Sequence, residues 1–204
     1  MDRNSIREIT HLVASLLVLT IAFSYPSTSS QALAIAAIGV GSGFLLHELA
    51  HKFTAQRYGF VADYEASPIG LLLAIGLSIA TGGGFVFAAP GAVMIRGKRI
   101  PYGQNEEYYW NKLQVDKEFS YISVSGAVVN LILAVLFITV SLIISDQFVI
   151  NVLWRAAFIN VFLAGFNMIP FGPLDGAKVW RYNPVLWGIV GIPSILLFFI
   201  LQTL

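Results

Sequence analysis

Five apolar runs, at roughly 9–25, 31–58, 119–145, 149–169 and 184–204, meet or approach the length of about 20 residues that a helix needs to cross a hydrocarbon core. They leave little room for any other solvent than a bilayer. Of the 204 residues, 57% are hydrophobic and 11% are charged, too few to cover a soluble domain with polar surface. The expected fold class is an all-α polytopic membrane protein with five to six transmembrane helices. It forms a single transmembrane domain over 1–204 with its core at about 31–183. A net charge of +1 from sparse residues gives no footprint for nucleic acid. The absence of cysteine rules out disulfides and thiolate metal sites. Positive charge precedes the first apolar run, as in a signal peptide, but that run ends in SYPSTSS without a small-x-small cleavage site, so a retained first helix is expected.

A sixth apolar stretch, 68–95, carries a triple glycine and an Ala-Pro-Gly. Its last part, FVFAAPGAVMI, is aromatic and β-branched and suits extended chain better than helix. Irregular backbone survives at membrane depth only where protein or a water-filled cavity covers it. A helical ascent followed by an extended return is therefore expected, with a re-entrant, β-hairpin-like segment at about 85–95; whether 68–84 spans fully stays open. Charge distribution agrees with this layout. With the N-terminus in the cytoplasm, Arg3, Arg7, Lys52, Arg57, Arg96, Lys98, Arg99, Lys112, Lys117, Lys178 and Arg181 share one side, and Arg155 alone falls toward the other. The polar stretch 96–118 reads as a cytoplasmic-side loop with aromatic anchors, or as a flap over a substrate entrance.

Chemistry concentrates in GFLLHELAHKF. A spacing of four puts the His47 and His51 imidazoles on one helix face, within reach of one metal ion. Glu48 projects about 100° round the helix from His47. There a carboxylate can accept a proton from a water on the metal without being a ligand. Two histidines and a glutamate in an apolar segment are costly unless they face a cavity, a metal or one another. Gly59 is a plausible helix stop, which leaves both histidines two to three turns inside the end.

Catalytic zinc sites usually have three protein ligands. Apart from Glu48, the acidic residue set away from the polar segments and turns is Asp175, in GFNMIPFGPLDGAKVW, whose prolines and glycines must break the fifth helix. Asp175 can meet HELAH at matching depth, or lie in a helix-terminal turn exposed to the cytoplasm. In SVSGAVVN, Ser125 and Gly126 read as close-packing residues. Asn130 can donate to a substrate carbonyl or oxyanion, or bond a neighbouring helix. Asn167 is expected to pair with backbone freed around Pro170. His11 starts the first helix without a nearby partner and reads as interfacial.

HELAH in one helix, a Gly-x-x-x-Asn segment in a later one and N-x-x-P…P-L-D-G in the next resemble the site-2 protease family of intramembrane zinc metalloproteases, in its compact archaeal and bacterial form. The likeness runs from about Gly41 to Gly176, and FVFAAPGAVMI is similar to the family's re-entrant β-hairpin. It implies one zinc ion bound by His47, His51 and Asp175, a water activated by Glu48, and a substrate or oxyanion role for Asn130. Gly126-Ala127 stands where the family usually has Gly-Pro. Regulation through PDZ-like or CBS-like modules is not expected.

On that reading the chain hydrolyses peptide bonds within or near transmembrane segments of membrane-protein substrates. Val86, Phe87 and Ala88 would align an unwound substrate by β-augmentation. The expected partners are such a substrate and the lipid bilayer, with the oligomeric state open. A metal-ion transporter or an inactive membrane scaffold is the alternative. Transport would require polar sites in series across the bilayer, whereas these ligands cluster at one depth.

Overall fold

The computed structural model describes residues 3–98 and 112–202. Most of the 96–118 loop therefore lies outside the described residues. Among the described residues five helices are long and apolar enough to cross a membrane, so the chain is an all-α polytopic membrane protein. In chain order the elements are α1 (Arg3–Ser24), α2 (Ser30–Arg57), β1 (Phe60–Ala66), α3 (Pro68–Ala80), β2 (Gly91–Lys98), α4 (Lys112–Ser141), α5 (Gln147–Asn167), α6 (Asp175–Tyr182) and α7 (Pro184–Gln202).

Local chemistry sets most of these boundaries. Ser29, Ser67 and Asp146 are extended N-caps whose side chains accept from the backbone N–H groups of Ala32, Gly70 and Val149. Pro68 occupies the first turn of α3, where its missing N–H costs nothing. Gly59 takes φ +85°, a left-handed geometry that stops α2 where the sequence suggested. Within α2 the turn Gly41–Leu45 widens to π geometry, one turn ahead of HELAH. The Ser42 hydroxyl bonds the carbonyls of Ile38 and Gly39 there and accepts from the amide of Asn160 on α5.

The helical ascent and extended return of 68–95 are both present. At 13 residues, α3 is about 20 Å long, short of the roughly 30 Å hydrocarbon core. The strand that follows does not fold back on a neighbour within 85–95. Instead β2 pairs antiparallel with β1, from Ala66↔Gly91 to Phe60↔Lys98, so that α3 lies inside the connection. The partner was hidden because FVADYEA, with alternating burial, looks like a polar linker when read for helix-length apolar runs.

One end of the molecule is tied by charge. Lys52 donates to both oxygens of Glu8 at 2.6 Å, and Glu8 also accepts from the Tyr64 N–H at 3.1 Å. Glu65 bonds Arg96, with Arg7 at 3.9 Å. His11 is not partnerless as expected: its Nδ1 accepts from the Ala66 N–H at 3.3 Å, so it secures β1 against α1. Large side chains such as Leu72, Ile132, Val135 and Val185 are exposed. That outer surface is the one lipid wets. The main core joins Leu19, Val40, Phe44, Tyr64, Leu163 and Phe166.

Candidate active site

HELAH sits in the last three turns of α2, where the four-residue spacing stacks the two imidazoles edge to face, 4.6 Å between ring centres. His47, Glu48 and His51 are all buried. Across from them, α5 stops at Asn167, and the chain turns through Pro170 and Pro173 before α6 starts at Asp175. The break is held by the Trp187 indole, whose N–H donates to the Met168 carbonyl at 2.9 Å. It also needs Gly176, because a Cβ there would collide with the Met168 and Ile169 carbonyls.

This turn delivers the Asp175 carboxylate to the histidines. Its Oδ2 lies 3.3 Å from His47 Nε2 and 2.9 Å from His51 Nε2. The alternative of an exposed turn is excluded, since the Asp175 side chain is only 13% exposed. Lys178 holds the other oxygen, Oδ1, at 3.0 Å. Burial works against the charge of Asp175, but the adjacent His51 and Lys178 outweigh it and keep the carboxyl well below the ordinary carboxylate range. The aspartate is therefore ionised and directed.

The donor set fits a metal ion. One atom from each of His47, His51 and Asp175 lies within 4.8 Å of the others. His51 Nδ1 is 2.7 Å from the Ile122 carbonyl, which can only accept, so Nδ1 carries a proton and Nε2 is the nitrogen turned toward Asp175 and available to a metal ion. Nε2 is buried and makes no hydrogen bond, despite its approach to Asp175. Of the six buried side-chain atoms without a hydrogen-bond partner among the described residues, three belong to His47, Glu48 and His51. Each such atom costs about 1–3 kcal/mol. Two of them, Glu48 Oε2 and His51 Nε2, belong to residues that line the cavity, where a partner other than protein can reach them.

α4 supplies the floor. Gly126 lies flat against His47: a Cβ built there would come within 2.5–2.6 Å of three ring atoms. The Ser125 hydroxyl lies 3.4 Å from His51 Nδ1 and donates to the Ile122 carbonyl at 2.7 Å. These two residues therefore do more than the helix packing expected of them. A cavity of about 790 Å³ opens from the site, with Glu48, His51, Asp175 and Lys178 on one side and the segments Phe87–Ala89 and Gly91–Ile95 on the other.

Three candidates sit differently from expectation. Val86 turns away from this cavity into the core and into a second cavity, while Phe87 and Ala88 do line the site. Asn167 donates to the Leu163 carbonyl within its own helix rather than to backbone near Pro170. Asn130 is fully buried, and neither its oxygen nor its nitrogen has a hydrogen-bond partner among the described residues, so it bonds no neighbouring helix. Lys178 was missed in sequence, although its position three residues after Asp175 on a short helix was readable.

Comparison with known proteins decides the family. A protein of Methanocaldococcus jannaschii named "Putative zinc metalloprotease MJ0611" is 38% identical over 196 residues, 95% of this chain and 93% of that protein. This chain belongs to the same zinc metalloprotease family. A second protein of that organism, "Zinc metalloprotease MJ0392", is 28% identical over 142 residues, which is 67% of this chain but 30% of that longer relative. No protein-family model and no solved structure matches the chain. Membership of a zinc metalloprotease family implies zinc, and His47, His51 and Asp175 form a group able to bind a metal.

For this metalloprotease, Lys178 has a measurable task. It occupies Asp175 Oδ1 and leaves Oδ2 to face the histidines, the arrangement by which outer partners orient metal-binding carboxylates. Lys178→Met is expected to weaken zinc binding by about 10-fold or more, and Lys178→Arg to recover most of it. Competition with a chromophoric chelator measures both.

Proposed function

We propose that the chain is an intramembrane zinc endopeptidase of the site-2 type, which hydrolyses peptide bonds within or near transmembrane segments of membrane-protein substrates. The observation that carries this reading is the grouping of His47 with His51 and Asp175, the last two lining a large cavity with Glu48 inside a bundle of apolar spans. A zinc ion held by these three side chains would polarise the scissile carbonyl and make a nearby water more acidic.

Glu48 is the proton carrier. It lines the cavity with His51, and its Oε2 has no hydrogen-bond partner among the described residues. That carboxylate accepts a proton from the attacking water and passes it to the departing amine nitrogen. Asn130, one helical turn beyond Gly126 and free of other bonds among the described residues, donates its amide to the carbonyl or oxyanion. Burial of the whole set strengthens these electrostatic interactions.

A helical substrate hides its carbonyls in its own hydrogen bonds, so it must be unwound and held extended. The segment Val86–Ala89 makes no backbone–backbone hydrogen bond among the described residues, and Phe87–Ala89 face the cavity, continued by β2. These free groups suit pairing with a substrate strand. Ala88→Pro removes one donor from this edge and is expected to reduce cleavage at least 10-fold with zinc content unchanged. Unaltered cleavage would exclude the pairing.

The positive-inside rule supports a cytoplasmic N-terminus and site, because Arg7, Lys52 and Lys178 lie at the HELAH end, with Arg57 and Arg181 close to them in the chain. The metal-transport alternative is not favoured, since the titratable groups of the cavity sit together at that end.

The decisive experiment reconstitutes the purified protein in lipid vesicles with a single-span peptide and maps the products by mass spectrometry. Cleavage inside the apolar segment, abolished by chelation and restored by zinc, is the expected result. Cuts confined to soluble ends of the peptide, or cleavage indifferent to chelation, would overturn the proposal.

A further inference from the structure

A second cavity, of about 490 Å³, lies at the end of the bundle away from HELAH. The end of α1 and the α1–α2 turn (Phe23–Ser27), the first turns of α2, the segment Gly83–Val86 and the middle of α5 (Arg155–Phe162) enclose it. Ala36 on its wall precedes His47 by 11 residues on the same helix, about 16 Å along the axis. The two cavities are therefore separate, and the volume falls in the range of about 300–1,000 Å³ usual for ligand sites.

Its lining is largely apolar, with Phe23, Phe85, Phe158 and Phe162 prominent, and it contains one charged group, Arg155. Arg155 sits eight residues into α5, about 12 Å from the start of that helix. It has no ion pair or hydrogen bond among the described residues. The nearest acidic residue in sequence, Asp146, is engaged at the helix N-cap with the Val149 N–H. The other cations on the spanning helices, such as Arg7, Lys52, Arg57 and Lys117, are at the opposite end, where acidic partners are available.

Arg155 is exposed, and a guanidinium about 12 Å along an apolar helix calls for an anion or an escape to water. Among the described residues the cavity beside it offers no carboxylate but a wall of aromatic rings and the Ser24 and Ser27 hydroxyls. The matching ligand carries a negative head and an apolar tail. We propose that this cavity binds an anionic phospholipid, its phosphate on Arg155 and an acyl chain among Phe23, Phe158 and Phe162. The bilayer supplies such molecules at high local concentration, and the fork of five N–H donors on arginine matches a phosphate better than lysine would.

The test uses the full-length protein in detergent and reads thermal unfolding, independently of proteolysis. Phosphatidylglycerol is expected to raise the wild-type Tm by about 4 °C, while phosphatidylcholine and inorganic phosphate leave it unchanged. R155M should abolish the shift and R155K keep part of it. A32F, which puts an aromatic ring into the cavity and keeps the arginine in the chain, should abolish it too, and it carries the test if R155M does not fold. An undiminished shift in R155M or A32F would overturn the proposal. So would an equal response to phosphatidylcholine or to phosphate alone, or no wild-type response.

Discussion

Glu48→Gln is expected to lower peptide hydrolysis by about 10²–10⁴-fold, the usual worth of a positioned general acid–base group, and to leave bound zinc at the wild-type level. The substitution preserves volume in a site where Glu48 is only 8% exposed, so packing is not disturbed. It removes the one property the mechanism uses, because an amide oxygen is too weak a base to take a proton from water. The three atoms grouped for metal binding come from His47, His51 and Asp175, so zinc content should not respond. Elemental analysis beside single-turnover cleavage separates the outcomes. Loss of zinc would make Glu48 a ligand, and activity within tenfold of wild type would require another base.

Gly126→Ala is the second large effect, and it arises from one methyl group. The new Cβ would overlap Nε2, Cδ2 and Cε1 of His47 at 2.5–2.6 Å, well inside contact distance. The imidazole is a rigid ring, and α2 behind it is locked to α5 through Ser42 and Asn160. Neither the ring nor the helix can yield cheaply. His47 must leave its rotamer or α4 must move away from α2, and the second change also carries away the Ile122 carbonyl that orients His51. Zinc affinity is expected to fall by about 10–100-fold, as when outer partners of metal sites are removed. Activity falls with it and returns in part at high zinc concentration. Chelator competition and a zinc titration of activity measure the two quantities. An alanine variant with wild-type affinity would show that α2 and α4 are farther apart than described.

Such a contact is invisible in the sequence. SVSGAVVN shows that α4 has a small face, and small faces usually mean helix packing. That this face meets an imidazole follows only from the crossing of α2 and α4. The same holds for the Ile122 carbonyl, a backbone group without any residue signature. Val86 illustrates the opposite failure. Extended chain was legible in FVFAAPGAVMI, but the residue at which it leaves the core for the site was not. That boundary, between Val86 and Phe87, lies ahead of the β1-paired strand and follows from how the segment packs between the two cavities.

HELAH alone determined which side chains share a helix face, because 3.6 residues per turn is a property of any helix. The long apolar runs determined the solvent, because hydropathy summed over about 20 residues outweighs local preference. The prolines and glycines around Asp175 determined that the fifth helix must break. Only the tertiary structure decided where that break points. It brings Asp175 Oδ2 to 2.9 Å from His51 across 124 residues of chain, turns Lys178 onto the other oxygen, and seats Gly126 against His47. Those distances depend on how whole helices pack, and no local pattern in a chain encodes the position of a partner so far away.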